Sequence, residues 1–277
     1  MTHKPPAPNP QWVIRRFESV ASTNDVAIRM ADERAPEGTV VIAGEQTAGK
    51  GRLGRSWSSP AGEGLYLSAI LRPDLPFDQV WQTGFVASVA AAEAIGEVSG
   101  LPAQIKWPND ILLSGRKVCG ILVEARKSAA SSQQPAVSPQ SAIRNPKSQI
   151  PNLRCPIVVG IGVNVNNSSF PAEIAQKATS VALEVGHPIK LQKVEEAVLS
   201  RLHTRYTQHL SEGFAPILEA WKNLDCTIGR HVVVLADDGT VEGTAVGVDS
   251  SGDLVVERED GVSVRLAAGE VTLLDTT

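Results

Sequence analysis

The chain has 277 residues, 42% of them apolar, 20% charged and 4% aromatic, which supports a buried core and excludes a wholly disordered polymer. Its 26 Lys and Arg against 30 Asp and Glu leave a formal net charge of −4, not the basic footprint of a dedicated nucleic-acid binder. Any phosphate chemistry must then come from a local cluster of cations, and the length suits one large domain plus a small one.

Prolines stand at the N-terminus where a signal peptide would carry an apolar run, and residues 1–11 read as a disordered leader. Alternation over 12–20 predicts a first strand. Ser22-Thr23-Asn24-Asp25 offers a capping box, a hydroxyl followed three residues later by an acid, with Val26, Ala27, Met30 and Ala31 at helical spacing behind it. Pro36 and Gly38 are expected to end that helix. The β-branched and apolar runs 39–43 and 65–71 read as strands, with a glycine-rich basic segment between them. A long helix is predicted over 78–98 from Trp81, Phe85, Val89, Ala92 and Ile95, closed by Ser99-Gly100. Short strands follow at 104–106, 110–113 and 118–124, with Ser114-Gly115 as a turn, and another strand at 158–165. Val194, Val198, Leu202, Tyr206 and Leu210 predict a second long helix over 191–210, and Phe214, Leu218 and Trp221 continue the spacing after a Gly break.

Residues 128–152 are dominated by Ser, Gln, Pro and Asn and are expected to form a flexible, solvated insertion. Beyond Cys226, Asp238-Gly239, Ser251-Gly252 and Asp260-Gly261 separate short β-rich runs, the pattern of a small all-β barrel. The expected division is therefore 12–225 and 226–277. The longest weakly charged stretch, 83–92, is far short of the about 20 residues a membrane helix needs. Cys119, Cys155 and Cys226 are odd in number and far apart, which gives no disulfide framework and points to a reducing, cytoplasmic setting.

Gly49-Lys50-Gly51-Arg52-Leu53-Gly54-Arg55 places three glycines and three cations in seven residues. Glycines let the backbone approach an anion closely, and the cations add charge-assisted bonds to it. Without an anion those cations repel one another, so a plain solvated turn is the weaker reading. Familiar phosphate motifs fail here. A P-loop needs a hydroxyl where Gly51 stands, and a dinucleotide fingerprint must open a helix that Arg55-Ser56-Trp57-Ser58-Ser59-Pro60 will not form. A kinase loop lacks its downstream His-Arg-Asp and Asp-Phe-Gly partners. What survives is a basic, glycine-rich loop between two strands.

A second group of residues, Lys106-Trp107-Pro108-Asn109-Asp110, precedes Gly115-Arg116-Lys117, and Lys117 stands at the start of an apolar strand after a tight turn. Asn109 and Asp110 can turn the chain and offer oxygens to a ligand or hydrated metal. Gly160-Ile161-Gly162-Val163-Asn164, seen alone, reads as closely packed core.

In order along the chain, Ser22-Thr23-Asn24, Gln46 through Trp57, the Lys106–Asp110 and Gly115–Lys117 segments, Gly120-Ile121-Leu122-Val123-Glu124 and Gly160–Asn164 closely resemble the biotin–protein ligases over about residues 12–275. The resemblance implies an α/β fold, a mixed β-sheet flanked by helices in a class II synthetase-like catalytic domain, with a C-terminal SH3-like β-barrel. It implies an enzyme that uses ATP, biotin and Mg²⁺ to form biotinyl-5′-AMP and then acylates one lysine of a biotin carboxyl carrier domain. Lipoate or octanoyl ligation on a similar architecture is the alternative. DNA is not an expected partner, because no helix-turn-helix segment precedes Trp12, nor is membrane, because no apolar stretch is long enough to span one; the expected state is a monomer or weak homodimer.

By the same resemblance Lys117 and Arg52 are the catalytic pair. Ser22, Thr23, Asn24, Gln46, Lys50, Gly51, Arg52, Lys117 and Gly120 would bind biotin. Gly49, Lys50, Arg52, Arg55, Trp57, Asn109, Asp110, Lys117 and Asn164 would bind ATP or the adenylate, with Asp110 as a magnesium ligand. Lys50 stands where many members of the family carry Arg, which keeps the charge but loses the planar fork.

Overall fold

The first strand, β1 (Val13–Val20), leads into helix α1 (Thr23–Asp32) and returns as β2 (Thr39–Gln46), which lies parallel to β1. This is a computed structural model, and it describes residues 12–125, 155–236 and 239–274. The expected leader at 1–11 and insertion at 128–152 lie outside the described residues, as does Asp238. Helix α1 stops at Asp32, earlier than Pro36 and Gly38 implied, because Arg34 takes a left-handed φ of 66° and the amide of Ala35 turns back to the carbonyl of Met30.

Strand β3 (Gly64–Leu71) is buried along its whole length. A single turn of 3-10 helix at Phe77–Gln79 precedes α2 (Gln82–Ser99), so the regular helix begins later than the periodicity predicted and ends as expected at left-handed Gly100. Strands β4 (Ala103–Lys106), β5 (Asp110–Leu113), β6 (Arg116–Ala125) and β7 (Ile157–Asn164) complete a seven-stranded sheet in the order β1-β2-β3-β7-β6-β5-β4. Only β1 and β2 are parallel, which makes the sheet mixed.

The two faces of the sheet sort by the strand period of two. Val41, Ile70 and Val158 meet Val26, Ala27 and Ile28 of α1 on one face, while Val40, Ile42, Leu67 and Val159 join the core of α2 on the other. Helix α2 is buried nearly all round because α4 (Leu191–Glu212) and α5 (Ala215–Leu224) cover it. The short α3 (Val181–Val185) has too few residues to show a period and was not legible in the sequence; Ser180 caps it by accepting from the amide of Leu183.

After α5 the chain forms β8 (His231–Ala236), β9 (Gly239–Val248), β10 (Leu254–Glu257), β11 (Ser263–Leu266) and β12 (Glu270–Leu273). They make a separate antiparallel sheet ordered β11-β10-β9-β8-β12. This sheet abuts the Lys106-Trp107 segment: the Trp107 amide donates to Thr227 Oγ1 at 2.9 Å and its indole Nε1 to the Gly252 carbonyl at 3.1 Å. Among the described residues no helix is long and apolar enough to cross a membrane.

Trp221 is fully buried and lies 5.2 Å from the Phe85 ring, at the junction of α2 and α5. Trp221→Ala is expected to lower the unfolding free energy by about 3–5 kcal/mol, read as a shift of the urea midpoint with an unchanged slope.

Candidate active site

The glycine-rich segment between β2 and β3 is a small closed hairpin. The Trp57 amide donates to the Gly49 carbonyl at 2.8 Å, the Gly51 amide donates to Arg55 at 2.7 Å, and Lys50 bridges to Ser56. Leu53 and Gly54 at the tip have φ of 54° and 72°, so the turn uses one strained leucine beside a glycine that takes this conformation freely. A Cβ at Gly49 would lie 2.4 Å from the Trp57 carbonyl oxygen, so the hairpin closes only over glycine.

Its three cations diverge. Arg52 points inward, where Nη1 donates to Asn109 Oδ1 at 2.9 Å. Lys50 pairs with Asp25 at 2.5 Å, and Arg55 pairs with Glu270 of β12. Lys117 comes from the start of β6, where backbone bonds to Lys177 and Thr179 hold it. Its ammonium lies 2.6 Å from Asp110 Oδ1 and 5.4 Å from the centre of the Trp57 ring. Lys106 approaches the other oxygen of Asp110 at 3.4 Å and donates to the Val271 carbonyl at 3.1 Å.

Burial opposes ionisation of Asp110, but Lys117, then Lys106 and Arg52, outweigh it and hold the carboxyl below its usual range. Burial likewise pulls the Arg52 guanidinium below its ordinary value, countered by the charges of Asp110 and Glu270, and it remains a cation. Both oxygens of Asp110 face ammonium groups, that of Lys117 closely and that of Lys106 at longer range. The expected magnesium role of Asp110 would rest on that carboxylate alone, since the described residues hold no cluster of three His, Cys, Asp or Glu around it.

A group of hydrogen-bonded polar side chains adjoins this charged cluster. Thr23 N–H and Oγ1 both donate to Gln46 Oε1, at 2.8 and 3.0 Å, while Gln46 Nε2 donates to Ser59 Oγ at 2.8 Å. Ser22 occupies the N-cap of α1, but its side chain makes no capping bond, a correction to the expected capping box; the Thr23 amide, which a Ser22 cap would not reach, is satisfied by Gln46. Asn24 lies against Gly160, where a Cβ would come within 2.2 Å of Asn24 Oδ1. A Cβ at Gly162 would be 2.6 Å from Trp57 Nε1, and one at its cross-strand partner Gly120 would be 3.0 Å from Trp57 Cζ3. The glycines read as core packing are thus a slot for the Trp57 indole and the Asn24 amide. Asn164, two residues further along β7, donates to the Thr179 carbonyl at 3.1 Å and ties down the segment that holds Lys117.

The geometry brings together Arg52, Asn109, Asp110, Lys117, Trp57 and Gly120, and beside them Thr23, Asn24 and Gln46. It turns Lys50 and Arg55 toward Asp25 and Glu270. Sequence reasoning missed Ser59, Ser68 and Glu270 and gave no role to Glu124. Ser68 did leave a signal, as the one serine in a strand that is otherwise glycine, aliphatic or aromatic.

A family model described as the biotin/lipoate A/B protein ligase family matches residues 16–137, and one described as the biotin protein ligase C terminal domain matches residues 227–274. The bifunctional ligase/repressor BirA of Bacillus subtilis is 35% identical over 245 residues, which span 88% of this chain and 69% of that protein. The biotin–[acetyl-CoA-carboxylase] ligase of Paracoccus denitrificans is 32% identical over 252 residues, 89% of this chain and 95% of its own. Among solved structures, biotin protein ligase from Aquifex aeolicus in complex with biotin and ATP superposes with a TM-score of 0.76 at 27% identity, covering 95% of this chain and 99% of that one. The chain belongs to the biotin protein ligases, a branch of the biotin/lipoate A/B ligase family.

Because the folded Asp110 carboxyl is held low, its stabilising contribution is complete above pH of about 4 and is lost as pH falls through the lowered folded value. Asp110→Asn should be less stable than the wild type by about 3 kcal/mol at neutral pH, where it leaves Lys117 and Lys106 facing each other unneutralised. That gap should close as the pH falls below about 4 and through the lowered folded value, measured by urea unfolding of both proteins across acidic pH.

Proposed function

We propose that this chain joins the carboxylate of biotin to the α-phosphate of ATP, releasing pyrophosphate, and then passes the biotinyl group from biotinyl-5′-AMP to one lysine of a biotin carboxyl carrier domain. The observation that carries this reading is the convergence of Arg52 and Lys117 on one charged cluster beside the Thr23–Gln46 pocket. In the first step a biotin carboxylate oxygen attacks the α-phosphorus and pyrophosphate leaves. Two anions must approach each other, and two fixed cations at their meeting point lower the barrier. In the second step the lysine amine attacks the acyl carbonyl and AMP departs. No covalent bond to the protein is needed, so positioning and charge carry the catalysis.

Lys117 is the cation we assign to the reacting oxygens, because Asp110 and the Trp57 ring fix its ammonium from two sides. Arg52 is assigned to the carboxylate and phosphate, and Lys50 joins it by leaving Asp25. Gly49 and Gly51 are assigned to the bare backbone of the loop beside them, Gly120 to the biotin side, and Trp57, Asn109 and Asn164 to the nucleotide side. Asp110 serves as the positioning anion for Lys117. Arg55, tied to Glu270, is assigned to holding the hairpin against the C-terminal sheet. A ureido ring carries adjacent N–H donors and a carbonyl acceptor, which suits the mixed polarity of Ser22, Thr23 and Gln46. A lipoyl or octanoyl tail would leave those groups unpaired, which favours biotin over the alternative. The two-part division near Cys226 and a cytoplasmic site of action complete the proposal, the latter supported by three free cysteines.

Biotin-dependent ATP–pyrophosphate exchange, followed by labelling of a carrier domain with ATP, Mg²⁺ and biotin, tests the whole scheme; absence of exchange overturns it. Lys117→Ala should cut exchange by about 10²–10³-fold while the far-ultraviolet dichroism stays native. Arg52→Ala should weaken biotin binding about tenfold by calorimetry, since it removes one charge-assisted contact.

A further inference from the structure

Ser68 of β3, Gly160 of β7 and Leu122 of β6 stand in register across three adjacent strands. Residues opposite one another in a sheet share a face, so Glu124, two residues beyond Leu122, projects from that same side. Asn24 lies over the bare backbone of Gly160 and bridges the row. Its Nδ2 donates to Glu124 Oε2 at 2.7 Å and approaches the Leu122 carbonyl at 3.4 Å, while its Oδ1 accepts from Ser68 Oγ at 2.6 Å. Ser68 in turn sits 2.8 Å from Thr23 Oγ1. Ser68, Thr23 and Asn24 are at most 4% exposed.

The direction of every bond in this chain follows from one end. A carboxylate has no proton to give, so Glu124 forces the NH₂ group of Asn24 toward itself and the carbonyl oxygen toward Ser68. The only proton of Ser68 then goes to Asn24, and Ser68 can offer Thr23 nothing but a lone pair. The proton of Thr23 is drawn to Ser68 or to Gln46 Oε1, which leaves its hydroxyl presenting lone pairs to a ligand. Gln46 is fixed independently: its Oε1 must accept from the Thr23 amide, so its NH₂ group faces outward, one proton on Ser59 and the other free. The wall of the pocket is therefore an acceptor at Thr23 beside a donor at Gln46.

We infer that Glu124, acting through Asn24 and Ser68, is a positioning residue that sets this polarity and so selects a ring bearing an N–H next to a carbonyl oxygen. The inference rests on the biotin reading above and adds to it the group that orients the pocket. In Glu124→Gln the new amide can face Asn24 with either end, only the long 3.4 Å bond to the Leu122 carbonyl still opposes turning Asn24 over, and in the turned form Ser68 can donate to Thr23. The pocket loses its fixed order without losing volume.

The test compares biotin with 2-iminobiotin, in which an imine replaces the ureido carbonyl, by calorimetry on the full-length protein. The wild type should prefer biotin strongly. Glu124→Gln should bind biotin about tenfold more weakly, bind 2-iminobiotin nearly unchanged, and keep its ATP affinity. Ser68→Ala, which breaks the chain one link closer to the pocket without altering any charge, should shift the same ratio in the same direction. An unchanged biotin to 2-iminobiotin ratio in a folded Glu124→Gln protein overturns the inference, and if that variant does not fold, an unchanged ratio in Ser68→Ala does so. A wild type that binds no biotin overturns the functional reading itself, a different result from either.

Discussion

A single carboxylate permits the rest of the site to exist. Lys106, Lys117 and Arg52 all bear on Asp110, and without it three cations would share one partly buried pocket in mutual repulsion. With it, Lys117 keeps its charge and is held at a defined place between the carboxylate and the Trp57 ring. The short connection from Lys106 through Trp107-Pro108-Asn109 to Asp110 is what delivers this anion, and Asn109 uses the same turn to hold Arg52.

That connection is braced from the C-terminal sheet. Lys106 reaches the Val271 carbonyl, Trp107 is bonded at its amide and its indole to Thr227 and Gly252, and Glu270 holds Arg55 at the rim of the glycine-rich hairpin. A Cβ at Gly252 would lie 2.4 Å from the Trp81 ring, so the small sheet is fitted closely to the start of α2 as well. The second sheet thus belongs to the electrostatic frame of the cluster, and the two parts share one continuous hydrophobic core.

Much of this was legible in the sequence, for physical reasons that differ by element. The long helices showed because α2 and α4 repeat apolar residues every three or four positions, and the strands because β2 and β3 carry mainly β-branched and apolar runs between turn residues. The cations of the hairpin were visible as unusual charge density, but their directions were not: Lys50, Arg52 and Arg55 separate toward Asp25, Asn109 and Glu270, partners up to 215 residues away. Gly160 and Gly162 could be read only as packing, since the Asn24 and Trp57 side chains that need their bare backbone arrive from distant elements. The bond that Gln46 makes to the first amide of α1 was hidden for the same reason, because its acceptor comes from another strand.

That last feature ties two properties that a protein usually keeps apart. Gln46 satisfies the first amide of α1 with one end of its side chain and turns the other toward Ser59 and the site. Any change there that adapts the pocket to a differently shaped ring also reopens the question of how the helix begins. Ligand range and thermal robustness are therefore coupled through one amide, and a lineage or an engineer altering the first must supply a new acceptor for the helix to preserve the second.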